Sequence, residues 1–175
     1  VVSSSTARTA IVASSVAMSA ITSSSMATAK FAVGAAGLDP TAYADMAAVA
    51  SSQTAMTAVI NNSTALNAVV SSSTAMAAVA ASSTARKAIE SSSTAISALN
   101  QSSLVVTVSG SASGTGTENA LYTGNAWLIS GTNDSTSYGW ARYYTIDAPT
   151  TPVACKSGTS FTVSKFVGKI TAYRY

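Results

Sequence analysis

Histidine is absent from this chain of 175 residues, cysteine occurs once, and only 9% of the residues are charged. Without histidine, the commonest general base near neutral pH and the commonest nitrogen ligand for metals are both missing. The lone thiol, Cys155, excludes an intrachain disulfide and any paired-thiol metal site built from this chain alone. It lies in the apolar-alternating segment Val153 to Lys156 and reads as a small buried hydrophobe. Roughly a quarter of an ordinary soluble domain is charged, so here the hydroxyls of Ser and Thr must carry much of the solubility. No apolar run approaches the roughly 18 residues a membrane span needs, and membrane insertion is not expected.

The scarce charges are also dispersed. Lys and Arg number nine, net charge is +3, and within the repeats only Arg86 and Lys87 are adjacent. Nucleic-acid binding requires a concentrated basic stripe facing phosphates, so nucleic acid is not an expected partner. The six carboxylates, Asp39, Asp45, Glu90, Asp134, Asp147 and Glu118, are spread along the chain. A glycosidase needs two carboxyls across one bond; Asp134 and Asp147 are the only pair to consider, and nothing assembles around them. Asn133-Asp134 reads as an Asx turn rather than a calcium loop, which needs several converging oxygens. The expectation is a non-enzyme with no cofactor and no metal site.

What the chain does have is a repeat. Thr54-Ala55-Met56-Thr57-Ala58-Val59 recurs as Thr64-Ala65-Leu66-Asn67-Ala68-Val69, Thr74-Ala75-Met76-Ala77-Ala78-Val79, Thr84-Ala85-Arg86-Lys87-Ala88-Ile89 and Thr94-Ala95-Ile96-Ser97-Ala98-Leu99, ten residues apart each time. The frame extends back through Ala44 to Val49 and, after an interruption near 27–43, reappears at Thr6 to Ile11 and Val16 to Ile21. In the interruption, Asp39 reads as an N-cap and Pro40 as a first helical residue. Within a unit, apolar residues at i, i+3 and i+4 (Ala75, Ala78, Val79) mark one helical face, and the preceding Ser or Thr can cap it.

The decads do not suit one long helix. Ten residues at 3.6 per turn leave the apolar stripe about 80° short on each repeat, and closing that gap as a coiled coil means winding well below 3.5 residues per turn. Short helices broken at each Ser cluster and stacked as a solenoid, each unit touching chiefly its neighbours, are the preferred reading. An overwound multi-chain bundle is the alternative.

After Ser103 the composition changes: every glycine except Gly34 and Gly37, and every aromatic except Phe31 and Tyr43, lies beyond it. Candidate strands are 104–108, 126–130, 140–146, 153–155, 160–163 and 167–174, with 109–119 an exposed flexible loop. The predicted class is therefore α+β, with a helical stalk over 1–103 followed by a small antiparallel β-sandwich or barrel over 104–175. Most of the aromatics there are expected inside. Tyr122, Tyr138 and Trp140, with Arg142 interleaved, are the candidate receptor-binding residues, because Tyr, Trp and Arg give large contact area at small entropic cost.

The tandem pattern Ser71-Ser72-Ser73-Thr74-Ala75-Met76-Ala77-Ala78-Val79, the lead-in Leu38-Asp39-Pro40-Thr41-Ala42-Tyr43-Ala44-Asp45-Met46-Ala47-Ala48-Val49 and the closing Lys165-Phe166-Val167-Gly168-Lys169-Ile170-Thr171-Ala172-Tyr173-Arg174-Tyr175 resemble phage tail-fibre proteins carrying decad repeats. The resemblance covers most of the chain. It implies an extracellular virion appendage, usually a homotrimer, joined to other virion proteins at its N-terminal end, with a C-terminal tip on a host surface glycan or protein. No catalytic residue carries over from it. The competing expectation is a surface adhesin or a repeat-based binder, for example of ice through regularly spaced Thr, with the C-terminal module only a cap.

Overall fold

The computed structural model describes the backbone of residues 2, 4–110, 120–124, 126–133, 153–154, 161–164 and 168–174, and side chains as far as Val105. Its helices are α1 (Ser5–Val12), α2 (Ser15–Thr22), α3 (Ser25–Ala35), α4 (Met46–Ser51), α5 (Gln53–Ile60), α6 (Ser63–Val70), α7 (Ser73–Ala81), α8 (Ser83–Glu90) and α9 (Ser93–Gln101), with a 3-10 turn at Pro40–Ala42.

The helices start and stop for local reasons. Ser72 is extended (φ −112°, ψ 109°) and its Oγ accepts the amide of Ala75 at 3.2 Å, which satisfies one of the orphan donors of the first turn of α7. Ser4, Ser14, Ser24, Ser52, Ser82 and Ser92 do the same for their helices, and Asn62 does so through Oδ1 at 2.9 Å. The amide captured always belongs to an alanine three residues on. Between α5 and α6, Asn61 keeps near-helical angles while Asn62 swings to φ −118°, ψ 112°, and that one extended residue ends the helix. The chain turns sharply at such joints; α6 and α7 are bent by 95°.

Turns of this size return the chain to its starting side after three helices. Accordingly α4 packs on α7, α5 on α8 and α6 on α9. The joints stack as well: Ser82 Oγ donates to Ala50 O at 2.7 Å and Ser102 Oγ to Val70 O at 2.8 Å, each bridging 32 residues. Three decads therefore make one turn, and the joints at Ser82 and Ser102 each sit over a joint of the turn before. The expectation that units touch chiefly their sequence neighbours is corrected by this stacking.

The stacking fills one core. Ala55, Ala65, Ala75, Ala85 and Ala95 have no exposed surface, nor do Val59, Val69, Val79, Ile89 and Leu99 four residues after them. Alanine lets the helices approach closely, while Met56, Leu66 and Met76 supply the bulk that alanine lacks. Apolar burial is worth about 25 cal/mol per Å², so these larger side chains carry most of the driving force.

The decad frame persists through Ser24 into α3, and the break falls at 36–45. Helix α3 ends in a Schellman motif: Gly37 has φ +81°, Leu38 N donates to Val33 O at 2.9 Å and Gly37 N to Gly34 O at 3.3 Å. Asp39 then caps the 3-10 turn, and Lys30 Nζ donates to Pro40 O at 2.6 Å and Tyr43 O at 2.5 Å, tying the inserted segment to α3. The insertion reverses the packing direction. Asn62 Nδ2, at the start of α6, donates at 2.9 Å to Ala35 O, at the end of α3, so α3 lies on α6 running the opposite way.

Beyond the helices the described backbone forms β1 (Val105–Gly110), β2 (Ala120–Gly124), β3 (Ala126–Asn133), β4 (Val153–Ala154), β5 (Phe161–Ser164) and β6 (Gly168–Arg174). They pair antiparallel in the order β1-β6-β3-β4, with β2 and β5 apart as a second pair.

The predicted α+β class with a terminal sandwich or barrel is corrected. Residues 1–105 are 76% helical, with nine helices and no sheet or barrel. Among the residues whose burial is described, the main apolar cluster runs from Ala29 to Leu99, because the decads turn their apolar faces toward one another. The multi-chain overwound bundle is likewise not the arrangement of these residues, because the helix is interrupted at every cap. Of the predicted strands, 140–146 lies outside the described residues, as does most of the predicted loop over 109–119.

Candidate functional site

The predicted receptor-binding residues are not assembled among the described residues. Tyr122 lies on β2, its backbone opposite Val163 of β5 beside a register shift between Ala120 and Tyr122. Tyr138, Trp140 and Arg142 lie outside the described residues, as do Asp134, Asp147 and Cys155.

Within the helical unit Asp39 and Asp45 serve the backbone. Asp45 Oδ1 accepts the amide of Ala48 at 3.0 Å, capping α4. Asp39 Oδ1 accepts from the hydroxyl of Thr41 at 2.7 Å and from its amide at 2.8 Å, and these two bonds hold its carboxyl below the usual carboxylate range. Among the described residues no three His, Cys, Asp or Glu side chains converge as a metal site.

The recurring polar geometry is the stacked joint. At Ser82 one hydroxyl does two jobs: its oxygen accepts from Ala85 N at 3.2 Å and its proton goes to Ala50 O at 2.7 Å. Asn62 divides the same jobs between its amide oxygen and nitrogen. The carbonyls at the end of one turn, orphaned by the helix terminus, are thus satisfied by caps of the next. Aspartate cannot serve here, since an ionised carboxylate only accepts. Asp39 and Asp45 occur at caps for which no cross-turn bond is recorded.

No family model, curated protein or solved structure matches the chain.

A second recurring device uses arginine. Arg86 and Arg8 occupy the same position, four residues after their caps Ser82 and Ser4, where other decads place Met56, Leu66 or Met76 in the core. Each turns its guanidinium back to the carbonyl six residues earlier, Arg86 Nη1 to Ala80 O at 2.5 Å and Arg8 Nη1 to Val2 O at 2.7 Å. The stem covers apolar surface while the head satisfies a carbonyl before the joint. Sequence reasoning missed both devices. The signal that could have found the first is the restriction of caps inside the stack to Ser and Asn, residues that donate as well as accept.

Among the described residues no single helix is long and apolar enough to cross a membrane. The geometry can therefore do one thing well: each further group of three decads adds another layer, with its joints already matched to the layer below.

Proposed function

We propose that this chain is a non-enzymatic structural protein of a phage virion: an extracellular tail-fibre component whose helical decads form a mechanical spacer and whose C-terminal segment contacts the host. The observation that carries the reading is the cross-turn bond from Ser82 to Ala50 and its repeat from Ser102 to Val70, the same joint built twice at the same spacing. Such a unit transmits position through many small identical contacts, as repeat proteins do, and its described acidic groups at Asp39 and Asp45 are used as caps.

Partners in this reading are further copies of the chain in a homotrimer, other virion proteins at the N-terminal end, and a host surface glycan or protein at the C-terminal end, where Tyr122, Tyr138, Trp140 and Arg142 supply the contact. The ice-binding alternative draws less support. Successive helices turn sharply, so Thr54, Thr64 and Thr74 on α5, α6 and α7 are carried to different sides of the coil instead of forming one flat array.

The test is deletion of residues 104–175 from the appendage. Loss of attachment to host cells with particle assembly intact is the expected result; unchanged attachment refutes the recognition role. Light scattering on the full chain tests the homotrimer, and a monomeric mass refutes it.

A further inference from the structure

The decads are so uniform that departures from them carry information. The position after each Ser or Asn cap is serine in every ten-residue unit except one, where it is Gln53. The position five after the cap is Thr9, Ser19, Ala29, Thr57, Asn67, Ala77 or Ser97, and carries a charge only at Lys87. The joint residue nine after the cap is a small Ala or Ser at residues 13, 23, 71, 81 and 91, but an amide at Asn61 and, at the end of the last helix, Gln101; after Ser24, where the helix runs on, it is Val33.

Gln53 and Asn61 belong to one turn of the coil and Lys87 to the next, yet all three line one open groove between α5 and α8. Its volume is about 490 Å³. Its small apolar surface comes chiefly from the half-buried Ala88, since Ile60 beneath it is only 6% exposed. Hydroxyls of Thr57 and Ser93 join the amides and the ammonium around it. Gln53 Nε2 is held toward Thr57 Oγ1 at 3.3 Å. The side chains of Asn61 and Lys87 are exposed and have no bond to another described residue.

We infer that this groove binds a carboxylated saccharide. Its volume lies within the roughly 300–1,000 Å³ of small-molecule sites. The amides and hydroxyls offer donors and acceptors to a sugar's hydroxyl groups, the half-buried Ala88 gives a small apolar contact for a ring edge, and Lys87 pairs with the carboxylate. An acidic peptide fits less well: the groove has no strand edge to extend and no continuous apolar channel for a helix. The site is separate from the C-terminal contact proposed above and does not depend on it.

Calorimetric titration of the full chain with tetragalacturonate tests the assignment, with maltotetraose and tetraglutamate as comparisons. The variant is Gln53→Ser, Asn61→Ser and Lys87→Ser together. Serine already occupies each of these positions in another decad (Ser73, Ser71 and Ser97), so the fold is kept, and an unchanged thermal melt verifies this. The expected result is saturable binding of tetragalacturonate, weaker by at least about tenfold in the triple variant and for maltotetraose, a difference of about 1.4 kcal/mol. No binding by the natural sequence, equal binding by the variant, or equal binding of maltotetraose overturns the proposal. Tetraglutamate binding as tightly as tetragalacturonate overturns it in favour of an acidic peptide.

Discussion

Substituting Ser82 separates two roles that one hydroxyl performs. As an N-cap it accepts from Ala85 N, and as a clamp between turns it donates to Ala50 O. Ser82→Ala removes both. Cap loss costs about 1 kcal/mol in typical hosts, and the clamp adds about 0.5–1.5 kcal/mol, so a destabilisation of about 1.5–2.5 kcal/mol is expected. Ser82→Asp keeps the cap, since Asp and Ser rank together there. It removes the proton and sets a carboxylate oxygen against a carbonyl oxygen, leaving Ala50 O unpaired at a cost of about 1–3 kcal/mol. Ser82→Asn keeps both roles in the manner of Asn62 and is expected within about 0.5 kcal/mol of the natural protein.

Thermal unfolding followed by far-ultraviolet circular dichroism reads these differences, at roughly 4–8 °C per kcal/mol for a unit of this size. Two controls isolate the clamp. In Ser4→Asp the replaced hydroxyl is an exposed cap recorded only as accepting from Ala7 N, so little change is expected. For Ser82→Asp itself, acidification below about pH 4 returns a proton to the carboxyl and hence a donor, so its deficit relative to the natural protein should narrow. If Ser82→Asp melts with the natural protein at neutral pH while Ser82→Ala does not, the clamp is energetically idle and the reasoning about stacked joints fails.

Other outcomes follow from single contacts. Gly37 has φ +81°, and a β-carbon there meets nothing within 4 Å; Gly37→Ala should therefore cost about 1–2 kcal/mol through backbone strain alone, and Gly37→Asn less, both measured by urea unfolding. Asp39 has its carboxyl pKa lowered by the hydroxyl and amide of Thr41. Its contribution is therefore present above the ordinary carboxylate pKa and lost as pH falls through the lower folded value. An NMR titration of Thr41 should report that loss below about pH 4, and Asp39→Asn should remove the titration step.

The local grammar was readable because it is chemical. A hydroxyl or amide three residues before an alanine caps a helix wherever the chain can become extended, and Asp39-Pro40 announced its turn by the same logic. What could not be read was the angle at each joint. The bend between α6 and α7 follows from one near-helical and one extended residue, and the Ser-rich spelling of the joints is compatible with many such pairs. The three-helix turn, and with it the identity of each helix's packing partner, emerges only when joint angles and core side chains are satisfied together. The reversed seating of α3 on α6 depends further on the insertion at 36–45, whose course is set by Gly37, Asp39 and the reach of Lys30. The strand Ala120–Gly124 escaped notice because Thr and Gly at its end resemble a turn. The class prediction failed for another reason: strand-like composition after Ser103 says where chains can extend, and does not fix which architecture their pairing completes.

In a sequence this repetitive, a consensus residue describes the scaffold and a departure describes a local demand. Arg8 and Arg86 illustrate the rule within the scaffold. Each stands where other decads place Met or Leu, and each satisfies a carbonyl before its joint. Gln53, Asn61 and Lys87 differ from them in kind. None fills the core, no bond joins the side chain of Asn61 or Lys87 to another described residue, and the three come together only because the coil brings α8 over α5. Scaffold stability does not require them, since the neighbouring decads form the same helices with serine in their places. Their convergence on one groove is therefore a property to be explained by what the groove meets.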